Sequence, residues 1–561
     1  MILKKTFLHL LLTAGICLIF FINTSAAYQI TPNPNPIGET ITITGSDAEN
    51  SEEFDNRGII DIEKDGTLVH KTPGFEKTFN NFGKIINNGT FKSHVGATSE
   101  NWYTTRLYNS GEIVNQADGV IEFNSEIISF PTGQIKNFGM IQLNGFYAGL
   151  INLGGLFSNF SGGTVTVENN SLLENEGEIK NFGKIINKKI FRNYNDGLIS
   201  NLTGGVIENN SEMKNYNNGR IENTGTITNK KLLTNKSSLK NLINGRIENI
   251  QDGTIENTGN IINESILANY GTIKNNQNGL IENNFLFFNS TTTSRIENTG
   301  TITNKLYIQN FGTVSNQTGG VIENKAGFDN FRIVENAGLI KNNSIFFNPG
   351  TTTNLASGVI ENNGTFKNDG TFDNQGTYSG SGSFKGQFIN SGGTLAPGSS
   401  PGTATIDGDL MFDSGILQIE IGGTADGDYD QLFVTGSADM TAGVFEFSQW
   451  NSYGFEDDIL AGEIHEWEFL HADGGIDGFD LNNFVVTFTT DWLLPGFDAT
   501  VYLDSTATGL WLTVSNTNEN LDPGPSTPGA SAVPEPSTIL LLGMGLLGIS
   551  RFSRRKACSS Q

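Results

Sequence analysis

Three groups of residues have the types and spacing that could carry chemistry. Asp426-Gly427-Asp428-Tyr429-Asp430 sets three carboxylates at alternate positions, the spacing with which a calcium loop gathers oxygen ligands around a hard cation. An EF-hand needs Gly at its sixth position and Glu at its twelfth, where this chain has Gln431 and Ser437. That reading fails, leaving a looser calcium site and a solvated turn as the two alternatives. His465, Glu466 and His471, in HEWEFLH, form the second group. Zinc hydrolases hold two histidines four apart on a helix, whereas these stand six apart on an expected strand. At 3.3 Å per residue that is about 20 Å, so no shared metal is expected. The third group is a glutamate recurring in Ile-Glu-Asn, at Glu208, Glu222, Glu248, Glu256, Glu282, Glu297, Glu323 and Glu361. Some of these carboxylates are expected to align into an acidic stripe, which would keep exposed strands soluble or contact calcium or sugar. No bound cofactor is expected.

What positions these residues is a repeat. From about residue 80 to 376 the pattern Gly-x-Ile-x-Asn returns, as in Gly83-Lys84-Ile85-Ile86-Asn87, Gly177-Glu178-Ile179-Lys180-Asn181 and Gly225-Thr226-Ile227-Thr228-Asn229. Successive glycines lie 6, 8, 12 or 14 residues apart, and longer sums fall near 20, as from Gly205 to Gly225 to Gly245. A strand alternates faces, so Gly, Ile and Asn share one side while Thr, Lys, Glu and Arg share the other. Gly permits the positive φ of a sharp corner, and Asn tolerates it. Three such strands make one coil, and coils stack about 4.8 Å apart with Ile over Ile and Asn over Asn inside. Roughly fifteen coils are expected between residues 80 and 376. The rival architecture, a β-propeller, uses blades of about 40 residues with a Trp or His signature, and only Trp102 falls in the stretch. The expected fold class is therefore all-β: a parallel β-helix (solenoid) of about 20-residue coils, followed by a smaller β module and one short C-terminal transmembrane helix.

Composition limits the rest. The chain has 561 residues with 68 Gly, 39 Phe and 14 Pro, which excludes collagen and argues against disorder. A net charge of -25 makes nucleic acid an unlikely class of partner on electrostatic grounds. The only cysteines are Cys17 and Cys558, so the body has neither disulfides nor thiolate-bound metal. Lys4 and Lys5, the apolar run from Phe7 to Ile22 and the small residues Ser25-Ala26-Ala27 before Tyr28 read as an export signal cleaved between Ala27 and Tyr28.

After Ser515 the composition turns to Asn, Asp, Pro, Gly, Ser and Thr, an extended linker. Then come Val533-Pro534-Glu535-Pro536-Ser537-Thr538, the apolar run Ile539 to Ile549, and Arg551, Arg554, Arg555 and Lys556. Even from Ser537 to Phe552 the span is short of the ~20 residues that cross a bilayer comfortably. The basic group keeps that end cytoplasmic and the body outside. These three parts, in this order, resemble the PEP-CTERM sorting signal of Gram-negative bacteria. The resemblance runs from Val533 to Gln561. It implies recognition by an exosortase with cleavage near Pro534-Glu535-Pro536, a transient stay in the inner membrane through the C-terminal helix, and an association with exopolysaccharide and biofilm production.

The Asn/Gly-rich repeats are similar to those of autotransporter and haemagglutinin-type adhesins. The segment GTLAPGSSPGTATIDGDLMFDSGILQIEIGG and the following YDQLFVTG resemble a structural module of PEP-CTERM and autotransporter-like surface proteins, with antiparallel or solenoidal strands. The organisation expected is a signal peptide at 1–27, an N-terminal cap and first coils at 28–80, solenoid repeats at 81–385, a β module at 386–516, a linker at 517–532 and the sorting signal at 533–561. The expected function is an exported, non-catalytic structural or adhesive protein of the cell surface or extracellular matrix, with an exosortase and exopolysaccharide as partners. The alternative is a carbohydrate-active β-helix enzyme, a polysaccharide lyase or hydrolase. Such an enzyme needs convergent carboxylates, or calcium beside a basic residue, and no break in the repeat supplies them.

Overall fold

The computed structural model describes residues 28–518 other than 46, 72–76, 95–96, 99–100, 103–104, 146–147, 169, 399–400 and 490–491. The chain winds as a parallel β-solenoid of about 18 turns with about 20 residues per turn. One turn shows the rule. Arg220–Asn223 lies on a first face, Thr226–Asn229 on a second and Leu232–Asn235 on a third; Ser238–Asn241 then returns to the first, paired in parallel with Arg220–Asn223. The second and third faces continue in the same way into Arg246–Asn249 and Thr254–Asn257.

Each repeat strand is four residues long, and its second and fourth side chains point inward. Thr226–Asn229 buries Ile227 and Asn229 and turns Thr226 and Thr228 outward. Tight corners add two residues, so a turn with three of them takes 18, the offset from Asn223 to Asn241. Wide corners add two more. Leu242 to Gly245 is one of these, closed by the Gly245 N–H donating to the Leu242 carbonyl at 2.8 Å, with Asn244 left-handed at φ 69°. The glycine spacings of 6 and 8 are these two kinds of corner.

The corner glycines that precede the strands do not adopt positive φ, contrary to expectation; that role falls to residues such as Asn244 and Asn278 in the wide corners. The constraint on the glycines is close approach. A Cβ on Gly225 would sit 2.2 Å from the Gly205 carbonyl oxygen of the turn beneath, and on Gly83 it would sit 2.1 Å from that of Gly58. At these positions only a residue without a Cβ fits against the carbonyl beneath, whereas other corners, such as the one at Ser237, accommodate a side chain.

Two sets of side chains fill the interior. Ile, Leu, Val and Phe form one continuous apolar core along the rod. On the second face Phe328, Phe346, Phe366 and Phe384 stack, at centroid separations of 4.7, 4.6 and 5.2 Å. Beside this core run columns of buried asparagine. Each Nδ2 donates to the Oδ1 of the asparagine one turn further on, as from Asn201 to Asn223 at 2.7 Å and Asn223 to Asn241 at 2.8 Å. The same amide nitrogen reaches backbone carbonyls: that of Asn223 donates to Gly225 and Arg246 at 3.1 and 3.2 Å. All the columns point the same way. Their first members at Asn35, Asn87 and Asn152 therefore keep a buried Oδ1 without a partner. Below Asn87 stands Ile62, and below Asn152 stands Ser129. At His70 an imidazole takes the asparagine place, its Nδ1 accepting from Asn50 Nδ2 at 3.1 Å, and burial holds its pKa down at about 4, so the ring is neutral at pH 7.

The turns begin at the first described residues, where Tyr28–Gln29 pairs in parallel with Ala48–Glu49. They run on through residue 385. Phe388–Pro397 pairs with both Thr371–Asn374 and Thr377–Gly380, so this one strand rounds the corner between the third and first faces. Parallel pairing continues to Phe484–Phe488. The last strand, Gly509–Asn516, is antiparallel to Ile464–Ala472 and to Phe497–Leu503. Phe455, Trp467, Trp492 and Phe497 fill that end with aromatic rings, Phe455 stacking on Trp492 at 4.3 Å. Of the two alternatives expected for this stretch, antiparallel or solenoidal strands, Leu410–Ile421 and Gln431–Val434 take the solenoidal one, and the antiparallel ladders lie further on, at Ile464–Ala472, Phe497–Leu503 and Gly509–Asn516.

Asn257 is bonded to Asn235 below and Asn275 above, each at 2.8 Å. Replacing it with Leu leaves the buried Asn275 Oδ1 without its donor and takes from the Asn235 amide one of its three acceptors, the Ser237 and Asn260 carbonyls remaining. Asn257→Leu should therefore cost about 2–5 kcal/mol, read as lost hydrogen-exchange protection centred on residues 232–275. Undiminished protection there would show that the column is not a source of stability.

Candidate functional site

The first and third residues of every repeat strand face outward, so the exterior consists of columns whose neighbours are one turn apart. The eight glutamates of the Ile-Glu-Asn sequences all point outward but do not form an acidic stripe. They are shared among the three faces, and no two of the eight are adjacent in a column. On the first face Lys341 separates Glu323 from Glu361, and Glu222 is followed by Lys240. On the third, Lys274 separates Glu256 from Glu297; on the second, Thr228 separates Glu208 from Glu248. Like charges on adjacent strands repel, and alternation removes that cost. Lys84 and Lys136 clasp Glu112 at 2.9 and 2.5 Å, and Lys305 holds Glu282 at 2.8 Å. The bonds from Lys136 to Glu112, from Lys230 to Glu208 and from Lys305 to Glu282 pull these carboxyls below the ordinary range. Exposed pairs of this kind contribute ~0–1 kcal/mol each.

The Asp426, Asp428 and Asp430 trio is split by the fold. Ile421 and Tyr429 bridge at the base of a hairpin that leaves Asp426 and Asp428 exposed at its tip. Asp430 is 2% exposed, and its carboxylate accepts the N–H groups of Gly402 and Glu420 at 2.7 and 2.9 Å. It ties the backbone just before Thr403–Asp407 to Leu410–Ile421 and is turned away from its two neighbours. Among the described residues no three His, Cys, Asp or Glu side chains converge on a metal position.

His465 and His471 lie on Ile464–Ala472, each with partners of its own. His465 Nε2 is 3.2 Å from the Thr424 carbonyl. His471 Nδ1 is 2.7 Å from Glu468 and Nε2 3.3 Å from Asp473, and the hydrogen bond that the ring donates to the Glu468 carboxylate raises its pKa. Phe433 stacks on the His471 ring at 5.3 Å.

Aromatic rings also form columns on the outside of the rod. Phe138, Phe160 and Phe182, each directly after a column asparagine, stack at 4.3 and 6.0 Å with planes within 4°. Tyr194 and Tyr216 stack at 5.4 Å, and Phe311 and Phe331 at 4.7 Å. The detectable signal was an Asn-Phe or Asn-Tyr pair recurring at the interval of one turn, as in Asn137-Phe138, Asn159-Phe160 and Asn181-Phe182.

Ala27 of the expected signal-peptide cleavage site lies outside the described residues; Tyr28 is the first of them. Val533, Pro534, Glu535, Pro536, Ser537, Arg554 and Arg555, with the expected C-terminal helix, also lie outside. Among the described residues no helix is long and apolar enough to cross a membrane.

Residues 532–556 match the PEP-CTERM protein-sorting motif. No curated protein matches the chain. The motif implies a bacterial protein that is exported, sorted by an exosortase and delivered to the cell surface.

Burial pushes the Asp430 carboxyl up to about 7, against the opposing pull of its two amide donors. With the folded pKa above the free value, the folded chain holds the extra proton between pH 4 and 7. This group's contribution is thus most favourable below about pH 4 and is lost as pH rises towards 7. Compared with Asp430→Asn in denaturant titrations, the native chain should lose roughly 3–4 kcal/mol between pH 4 and 7.5. Parallel profiles for the two proteins would refute the assignment.

Proposed function

We propose that this chain is a non-catalytic structural or adhesive component of the surface or exopolysaccharide matrix of a Gram-negative bacterium. In this reading it passes through the inner membrane on its C-terminal helix and is released by exosortase cleavage near Pro534-Glu535-Pro536. The observation that carries the reading is the join of two features: a sorting motif at 532–556 and a long rod that displays repeated columns of side chains. A repeating exterior suits many weak contacts along a polymer, because each turn offers its outward residues one strand spacing beyond the last. The adhesin-like character of the Asn/Gly-rich repeats and the biofilm association belong to this proposal as well.

Mass spectrometry of the C-terminus tests it on protein from inner-membrane, outer-membrane and matrix fractions of native cells. A matrix or outer-membrane species ending near Pro536 is expected. Chains still ending at Gln561 and confined to the inner membrane would overturn it. On a panel of acidic and neutral polysaccharides, retention without depolymerisation is expected, and released oligosaccharides would favour an enzyme.

A further inference from the structure

Wide and tight corners alternate irregularly along the edge between the third and first faces, and the irregularity carves the surface. Tyr194 to Gly197 and Tyr216 to Gly219 are consecutive wide corners, joined by the Asp196 N–H donating to the Asn217 carbonyl at 3.3 Å. Asn217 and Asn218 are both left-handed there, which makes the corner project. The next corner, Lys236 and Ser237, is tight, and it closes the turn that carries Arg220 onto Ser238. Where the projecting corner gives way to the tight one the surface steps down into a notch of about 570 Å³, within the range of small-molecule sites.

Its lining is unlike the chain as a whole. Arg192, Lys214, Tyr216, Asn217, Thr234 and Lys236 line it, three cations and no carboxylate, on a protein of net charge -25. Arg192 is paired with Glu174 at 2.7 Å and Lys214 with Glu212 at 2.6 Å. Among the described residues Lys236 has no carboxylate partner, so the notch keeps one cation uncompensated. Tyr216 is backed by Tyr194, stacked nearly parallel at 5.4 Å, which fixes the ring as a flat wall.

We propose that this notch binds an acidic saccharide: the sugar ring lies on Tyr216, and its carboxylate reaches Lys236 with Lys214 beside it. The Asn217 amide faces the ring hydroxyls. A fixed aromatic face, a side-chain amide and one free cation match an anionic pyranose better than a bare anion, which needs no ring wall. A recess with one uncompensated cation draws anions from an otherwise repelling surface. The choice of a sugar over other anions rests on the matrix reading above.

The test uses the full chain in mild detergent, titrated calorimetrically with an oligogalacturonate and with its uncharged methyl ester. The acid should bind at least about tenfold more tightly than the ester. Tyr216→Ala and Lys236→Gln should each weaken it about tenfold, or ~1.4 kcal/mol, with circular dichroism unchanged. Tyr270→Ala, on another corner, should bind as the native chain does. The proposal is overturned by equal affinity for acid and ester, by undiminished binding in both variants, by no binding of the acid, or by equally effective competition from polyglutamate, which has charge without sugar rings. Loss of the notch result while the chain still co-fractionates with matrix polysaccharide sinks this site alone. Absence from the matrix with oligogalacturonate binding intact sinks the matrix reading alone.

Discussion

Within a column, an interior asparagine is bonded to the one a turn below and the one a turn above, and most of the molecule follows from keeping that column in line. A side-chain amide with no water to bond must find partners inside, and the only ones within reach are the next amide and the corner carbonyls beside it. A slip of one residue would swing the whole set outward and bring Thr, Lys and Glu into the core. The column therefore sets register as firmly as the apolar side chains set burial. Because every member donates in the same direction, a run of amides lacks an amide donor only where it begins: the oxygens of Asn35, Asn87 and Asn152 stay unpartnered there, and that of Asn187, above Val167, takes the Lys189 N–H instead. The glycines answer to the same stacking, since at corners such as Gly225 a Cβ would run into the carbonyl of the turn beneath.

With the interior held this way, the exterior is free to vary. First and third strand positions take Glu, Lys, Thr, Ile or Phe with no effect on the core, and the one visible rule is that glutamates avoid direct neighbours in a column. Corner length is the second variable. A wide corner projects and a tight one recedes, so a small difference in corner length shapes the surface without disturbing a strand.

The strands, the inward Ile and Asn and the stacking of like on like were legible in the sequence because an alternation of faces and a recurring glycine both leave local traces. The columns of the exterior were not. Which residue sits above Glu222 depends on the lengths of all three corners between, and a wide corner in place of a tight one leads to a different neighbour. That is why an acidic stripe was expected and an alternation with Lys240 and Lys341 was found. The role of the glycines was also hidden, since close approach to a carbonyl one turn below leaves no mark beside Gly225. Asp430 read as an exposed member of a carboxylate trio because its burial depends on the Gly402 and Glu420 backbones, neither of them beside it in the chain.

Parallel stacking along the rod axis has a mechanical corollary. Tension between the two ends pulls along the strand-to-strand hydrogen bonds rather than across them, so the bonds of one turn are loaded together and those of the next carry the same force in series. Such an arrangement yields by unzipping, one turn at a time, and each turn lost releases roughly 18–22 residues, or about 60–70 Å of chain. A tethered rod of this construction gives length under load and winds back when the load is removed, because every lost turn leaves behind it an intact strand edge on which to reform.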